Sequence, residues 1–123
     1  MHLNQVTLPC LDYEASVQFY KKLGLTQIVH SPPRYARFET PSGSTLSIHS
    51  VAEAVHAGTV IYFEVDDVDS TVQKLTDLGL EFDVLPTDQR WLWREAYLDD
   101  PAGNRICIYH AGENRRYPPW RIE

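Results

Sequence analysis

Hydrophobic and polar side chains alternate in several short segments of the chain. Val6 and Leu8 are flanked by polar residues in the first half, and Leu46 and Ile48 show the same spacing further on. In the second half the alternation recurs over residues 61–65. A period of two is typical of β-strands that place one face on a hydrophobic core. The pattern therefore predicts strands in both halves.

A helical pattern follows the first strand of each half. Ala15, Phe19 and Leu23 are spaced four apart, Asp12 is a suitable N-cap, and Gly24 is a suitable stop. The apolar stripe of the second half consists of Val68, Val72, Leu75 and Leu78. One helix is therefore predicted in each half.

The two halves repeat the same order of elements. The Leu-Gly-Leu sequence at 23–25 recurs at 78–80, and the Pro-x-Gly turn at 41–43 recurs at 101–103. The larger offset of the turn indicates a longer loop in the second half, around residues 86–91. Two such anchors in the same order indicate a duplicated β-α-β-β-β module.

We predict an α+β protein with a single domain over residues 1–123. Its predicted parts are module one at 3–50, a linker at 51–58, module two at 59–111 and a C-terminal strap at 112–123. The strands that follow each helix are predicted at 25–30 and 35–40, and at 80–85 and 93–98. A tryptophan near a terminus, here Trp120, is expected to pack back on the domain or on a partner subunit.

Composition excludes several classes of protein. The 123 residues carry 11 Lys and Arg against 17 Asp and Glu, which gives a net charge of −6 and disfavours nucleic-acid binding. No apolar run is long enough for a membrane helix, and the first residues do not resemble a secretory signal. Cys10 and Cys107 are too far apart for a zinc spacing or a disulfide framework. We expect a cytoplasmic protein that binds neither nucleic acid nor membrane.

The sheet faces opposite the helices have an unusual composition. By odd–even counting they present Gln5, Thr7, Tyr35, Arg37, Glu39, Thr45, Ser47, His49, Val60, Tyr62, Glu64, Trp93, Glu95, Tyr97, Arg105, Cys107 and Tyr109. This set contains no lysine and is rich in aromatic and neutral hydrogen-bonding groups. Such a mixture favours a small-molecule cavity. The alternative is a face covered by a second subunit.

Five segments resemble the vicinal oxygen chelate superfamily, which includes glyoxalase I, extradiol dioxygenases, fosfomycin-resistance transferases and bleomycin-resistance proteins. They are NQVTLP at 4–9, ASVQFY at 15–20, LGL at 23–25, FEVDDVD at 63–69 and DPAGNRI at 100–106. The resemblance implies that the two modules form a cupped, mostly antiparallel eight-stranded sheet with helices on the outside. It also implies a homodimer.

Catalytic members of this superfamily hold a divalent metal ion between the first and last strands of the modules. The corresponding positions are Gln5, Ser47, Val60 and Cys107. Gln5 is a suitable ligand, but Val60 has no donor atom, and Ser47 and the thiol of Cys107 are poor ligands for such an ion. We therefore predict no metal and no other cofactor. A relocated ion on Gln5, His49 and Glu64 is the alternative.

Other chemistry at these faces has weaker support. Cys107 would be a nucleophile only if a base lowered its pKa, and a small buried thiol is the preferred interpretation. Glu64 and Glu95 are suitable general bases when desolvated. We expect them instead to be salt-bridged to Arg37, Arg94 or Arg105. His49 and Glu64 are kept as candidate catalytic residues.

The resulting prediction is a glyoxalase- or bleomycin-resistance-like protein that binds a small organic ligand in an aromatic cavity. The predicted ligand-binding residues are Gln5, Thr7, Ser47, His49, Tyr62, Trp93, Tyr97, Cys107 and Tyr109. One alternative is a metal-dependent lyase, isomerase or dioxygenase with the relocated ion. The other is an interaction module whose aromatic face is covered by a partner protein.

Overall fold

The computed structural model describes residues 3–53 and 59–122, so most of the predicted linker at 51–58 lies outside the described residues. Module one contains β1 (Gln5–Cys10), α1 (Tyr13–Leu23), β2 (Thr26–Ser31), β3 (Tyr35–Glu39) and β4 (Thr45–Ser50). Module two contains β5 (Val60–Glu64), α2 (Val68–Asp77), β6 (Val84–Asp88), β7 (Arg94–Asp99) and β8 (Arg105–His110). A short 3-10 helix, Gly112–Arg115, follows β8.

The strands form two mixed four-stranded sheets with the same topology. Their orders are β1-β4-β3-β2 and β5-β8-β7-β6, and in each sheet the first and last strands of the module run parallel. The antiparallel pairs β2 with β3 and β3 with β4 complete the first sheet. The predicted α+β class and the repeated β-α-β-β-β module are confirmed.

Helix α1 begins and ends at the predicted residues. The Asp12 carboxylate accepts a hydrogen bond from the Ala15 amide at 3.1 Å, which satisfies one amide of the first turn. Gly24 ends the helix with φ +111°, a left-handed conformation that favours glycine. Ala15 and Leu23 are only half-buried. The side chains that the helix buries are Tyr13, Ser16, Val17, Phe19 and Tyr20.

Helix α2 is capped in the same way, by the Asp67 carboxylate and the Ser70 amide at 3.0 Å. It buries Val68, Val72 and Leu75 as predicted, but Leu78 is 49% exposed. The helix ends at Asp77, and Leu78 is its C-cap residue, whose side chain lies at the exposed end of the helix. The predicted apolar stripe was therefore one residue too long.

Strand β6 differs from the prediction of residues 80–85. It begins only at Val84, because Phe82 packs against Val68, Val72 and Ala96 instead of joining the sheet. It then continues through Pro86 to Asp88. The register shifts between Val84 and Thr87. The loop predicted around 86–91 is accordingly a tighter connection, closed by a hydrogen bond from the Gln89 amide to the Trp93 carbonyl at 2.8 Å.

The chain divides into two compact units. The first unit contains module one together with residues 99–104, and the second contains the rest of module two and the strap. In the first unit, the buried Asp100 carboxylate accepts a hydrogen bond from the Tyr20 hydroxyl at 2.6 Å, and the Asn104 side-chain amide donates to the Pro9 carbonyl at 2.9 Å. These bonds fix the turn at 101–103 within the first unit.

The helix-facing sides of both sheets are closely packed. In the first sheet the fully buried side chains include Ala36, Phe38 and Ile48, and in the second they include Ala96 and Ile106. The odd–even assignment of the core face is correct at these positions. It also fixes which side chains lie on the opposite faces.

Candidate functional site

The opposite face of the first sheet carries a polar network centred on Gln5 and Ser47. Thr7 lies beside Ser47 in the parallel pair of β1 and β4. The Gln5 side-chain amide donates hydrogen bonds to Ser47 Oγ at 3.0 Å and to Thr7 Oγ1 at 3.2 Å. The Thr45 hydroxyl donates to the Gln5 side-chain oxygen. Gln5, Thr7 and Ser47 are therefore brought together on this face.

Tyr35 and Arg37 extend this network along β3. The hydroxyls of Tyr35 and Ser47 are hydrogen-bonded at 2.6 Å, and Arg37 Nε donates to the Tyr35 oxygen at 2.8 Å. Burial alone would raise the pKa of Tyr35. The hydrogen bonds from Ser47 and Arg37 and the positive charge of Arg37 outweigh it, so the pKa lies below its ordinary value. His49 is exposed near the end of β4, and these bonds do not involve it.

The second sheet carries an aromatic surface formed by Tyr62, Trp93, Tyr97 and Tyr109. The rings of Trp93 and Tyr109 are stacked, with centroids 4.8 Å apart and an interplanar angle of 23°. Tyr62 is edge-on to both, at 6.0 Å from Trp93 and 5.5 Å from Tyr109. Tyr109 is buried, whereas Tyr62 is 46% exposed. The indole N–H of Trp93 donates to the Asn114 carbonyl at 3.3 Å, which fixes the stack against the strap.

Cys107 is buried beneath the aromatic surface and packs in one cluster with Tyr109, Trp93 and Tyr97. Burial, followed by the negative charge of Glu95, raises the pKa of Cys107 to about 12. The thiol is therefore protonated near neutral pH, and Cys107 serves as a packing residue. This agrees with the preferred interpretation from the sequence.

Glu64 is held at the end of β5 by the strap. One of its carboxylate oxygens accepts hydrogen bonds from the amides of Ala111 and Gly112, both at 2.8 Å, and Arg115 lies 3.7 Å from the other oxygen. Burial would raise the pKa of Glu64, but these amides and the charges of His110 and Arg115 lower it. The predicted partners of Glu64 were Arg37, Arg94 or Arg105. This prediction was wrong, because the arginine beside Glu64 is Arg115.

Glu95 is buried in the middle of the aromatic surface. Its two oxygens accept hydrogen bonds from the Trp91 indole N–H at 2.9 Å and from the Tyr97 hydroxyl at 2.8 Å. The expected ion pairs with Glu95 are not formed. Arg37 donates to the Tyr35 hydroxyl, Arg94 pairs with Asp69 and Asp88, and Arg105 pairs with Asp83. Arg94 does not pair with Glu95 because adjacent residues of a strand point to opposite faces of the sheet.

The donor atoms at the family's metal positions do not fit an ion. In the first unit, Gln5 and Ser47 are hydrogen-bonded to each other. In the second unit, Val60 has no donor, and Cys107 offers a buried thiol, which is a soft donor. Within residues 3–53 and 59–122, no group of three or more His, Cys, Asp and Glu side chains is arranged to hold a metal ion. Of the relocated set, Glu64 already uses one oxygen for two backbone amides.

A cavity of about 420 Å³ lies next to this surface and is lined by Arg90, Trp91 and Trp120. Trp91 precedes Leu92, whose φ of +72° belongs to the left-handed region. Trp91 was not predicted as a site residue, because its position depends on this loop and not on strand alternation. Odd–even counting placed Glu95 on the correct face, but its predicted partners were wrong.

Comparisons with known proteins agree with this fold. Residues 2–108 match the sequence pattern of the Glyoxalase/Bleomycin resistance protein/Dioxygenase superfamily. The uncharacterized protein YraH of Bacillus subtilis (strain 168) is 33% identical, over 89% of this chain and 98% of its own length.

Two solved structures have a similar fold. A glyoxalase/bleomycin resistance protein/dioxygenase from Nocardioides is 26% identical, with a TM-score of 0.81 over 100% of this chain and 90% of that one. A bleomycin resistance determinant encoded on the transposon Tn5 is 16% identical, with a TM-score of 0.74 over 89% of this chain and 98% of that one.

In the part of the chain that the structure describes, neither helix has the length and apolar character needed to cross a membrane.

The repeated module, the strand order and the match over residues 2–108 lead to one conclusion. The chain belongs to the glyoxalase/bleomycin resistance protein/dioxygenase superfamily.

Proposed function

We propose that this protein binds a small organic molecule on the aromatic surface of its second unit, without the metal ion of the superfamily's catalytic members. The observation that carries the proposal is the stack of Trp93 on Tyr109 with Tyr62 edge-on to both. Ring faces and edges held in this way offer a flat ligand a large apolar contact area.

The aromatic surface is held in place before any ligand binds. Tyr109 is buried, and the Trp93 indole is fixed by its hydrogen bond to Asn114. A surface that is already ordered loses little conformational entropy on binding, which favours affinity. Tyr62 keeps nearly half of its area exposed and is the ring that a ligand would contact first.

The absence of a metal requirement is proposed from the donor chemistry. Val60 has no ligating atom, and a thiol with the pKa of Cys107 does not lose its proton readily to an ion. Elemental analysis of protein purified without chelator tests this point. We expect less than about one tenth of an equivalent of any divalent ion, and one equivalent would contradict the proposal.

Ligand binding is tested by titrating the tryptophan fluorescence with two probes. Copper-free bleomycin is chosen because a structural neighbour is described as a bleomycin resistance determinant, and neutral naphthalene-2-carboxamide because it is a plain flat ring. We expect saturable binding with one site per chain. Replacing Tyr62→Leu should weaken it about fivefold to tenfold, since an aromatic contact contributes about 1 kcal/mol.

The matched control is Tyr117→Leu, which removes an equally exposed ring outside the aromatic surface and should leave binding unchanged. Equal effects of the two substitutions, or no saturable binding of either probe, would contradict the proposal. The homodimer implied by the family resemblance remains a prediction, which sedimentation equilibrium tests. A dimer that shields Tyr62 from solvent and binds neither probe would instead favour an interaction module.

A further inference from the structure

Glu95 is a buried carboxylate whose hydrogen-bond partners are all neutral. Only 2% of its area is exposed, and its donors are an indole N–H from Trp91 and a phenol from Tyr97. Buried carboxylates in proteins are almost always paired with a cation or a metal, because removing their charge from water is costly. Among the residues that the structure describes, no Lys, Arg or His forms an ion pair with Glu95.

The internal repeat shows which residue stands in the second sheet where the first sheet has an arginine. With the 60-residue offset, Glu95 corresponds to Tyr35 and Tyr97 corresponds to Arg37. In the first sheet the Arg37 guanidinium reaches back to the side chain two residues before it. In the second sheet the residue at that place is Tyr97, which supplies a hydrogen bond without a positive charge.

We propose that Glu95 is the anchor for a cationic N–H group, such as an amidinium, guanidinium or protonated amine, on a flat aromatic ligand. This inference rests on the proposed function, since the rest of the ligand would lie against the aromatic surface. A carboxylate has about four acceptor sites, and the described residues donate to two of those on Glu95. Charged donors on the ligand would form short, strong hydrogen bonds there.

Trp91 is the group through which Glu95 becomes accessible. Its indole covers the carboxylate and is itself 38% exposed, on the side that lines the cavity with Arg90 and Trp120. The next residue, Leu92, has a backbone conformation that is strained for a leucine. In the proposed complex, a ligand N–H group takes the place of the indole N–H on Glu95, and Trp91 turns toward the cavity.

Other carboxylates on this unit are less suited to the role. Glu64 already accepts two backbone amides and faces Arg115. Asp83 and Asp88 are bonded to Arg105 and Arg94. Glu95 alone among these four has no positive partner in the described residues and lies within the aromatic surface.

The test uses three probes of one shape and different charge: naphthalene-2-carboxamidine, which is cationic, naphthalene-2-carboxamide, which is neutral, and naphthalene-2-carboxylate, which is anionic. Affinities are measured by calorimetry at pH 7. The wild-type protein should bind the amidine at least about tenfold more tightly than the amide, because hydrogen bonds to charged groups are the stronger ones. Glu95→Gln should remove this preference, so that the amidine and the amide bind with equal affinity.

Asp88→Asn is the matched control, since it removes the same unit of charge at a residue that is largely exposed and outside the surface. It should keep the tenfold preference. Trp91→Phe removes the competing indole N–H and should strengthen amidine binding. In the wild-type protein, the indole N–H signal of Trp91 in a ¹⁵N–¹H spectrum should shift with amidine and not with amide.

The outcomes separate this inference from the proposed function. Amide binding without any preference for the amidine would overturn the role of Glu95 and leave the proposed function intact. Tightest binding of the carboxylate would also overturn it and would assign ligand charge selection to Arg90. If no probe binds, the proposed function itself fails. If Glu95→Gln does not fold, the Trp91 signal and the Trp91→Phe affinity decide, and no change in either overturns the inference.

Discussion

The two sheets have the same strand order and carry opposite chemistry on the faces away from their helices. Thr7 lies beside Ser47 in the first sheet, and at the corresponding place in the second sheet Tyr62 lies beside Cys107. The first pair belongs to a hydrogen-bonded polar network, and the second to an aromatic cluster. The same backbone arrangement thus supports two unrelated surfaces.

The helix-facing sides differ far less. Ala36 corresponds to Ala96 and Ile48 corresponds to Ile108, and these residues are buried in both sheets. Close packing against a helix permits little change in volume or polarity, whereas the other face has no such constraint. The core faces therefore preserve the duplication, whereas the opposite faces have diverged in chemistry.

The two surfaces also differ in the charge of the side chains that donate hydrogen bonds within them. In the first sheet, Gln5, Tyr35 and Ser47 bond to one another and Arg37 donates to the same network. In the second sheet, the carboxylate of Glu95 has only neutral donors. A network satisfied from within has less to offer a ligand, so the second sheet is the better candidate for binding.

The largest expected effect concerns Cys107, which stands where the first sheet has Ser47. Because its pKa rises from 9.0 to about 12, the thiolate fraction near pH 8 falls about 1,000-fold. We expect iodoacetamide to label Cys107 at least that much more slowly in the native protein than in urea. The measurement is mass spectrometry of the peptide that carries Cys107. Equal labelling rates would show that this surface is not apolar.

A smaller effect separates two serines that are both fully buried. Ser47 is bonded to Gln5 and Tyr35, whereas the Ser16 hydroxyl has no hydrogen-bond partner in the described residues. Ser47→Ala should lower the free energy of unfolding by about 2 kcal/mol, because it removes two hydrogen bonds of a fully buried hydroxyl, each contributing about 1 kcal/mol. Ser16→Ala should be neutral or slightly stabilising. Urea unfolding measures both, and equal losses would refute the polar network.

The smallest expected effect is a difference between tyrosines. The pKa of Tyr35 lies below the ordinary value of 10.0, and burial raises the pKa of Tyr109 above it. In a titration followed at 295 nm, Tyr35→Phe should remove an ionisation step below pH 10. Because the folded state lowers this pKa, ionised Tyr35 stabilises the fold above the unfolded pKa, and the contribution is lost as the pH falls through the folded pKa. A step lost at higher pH would contradict the first-sheet geometry.

Much of the fold followed from local patterns. Asp12 and Gly24 marked the ends of α1, because a capping carboxylate and a left-handed glycine act on the nearest backbone groups. The boundary of β6 did not follow, because Phe82 left the sheet to pack against α2 and Ala96. Whether Phe82 joins the sheet or packs against the helix depends on the space between these elements. Local sequence patterns do not contain this information.

The candidate site was predicted in part for the same reason. Odd–even counting placed Trp93 and Tyr109 on one face, but their stacking depends on β7 and β8 lying side by side. It also placed Glu95 on that face, yet the partner came from Trp91 in a loop. Ion pairs could not be predicted from strand alternation alone, since Arg94 pairs with Asp69 and Arg105 pairs with Asp83.

The duplicated module, the core face of each sheet and the superfamily were predictable from the order of residues, because they depend on spacing along the chain. The packing of residues 99–104 with the first unit became clear only from the folded chain. The same is true of the hydrogen bond from Trp91 to Glu95, which has no cationic partner among the described residues. Both depend on side chains and turns that meet in space, where geometry selects one partner among several of suitable chemistry.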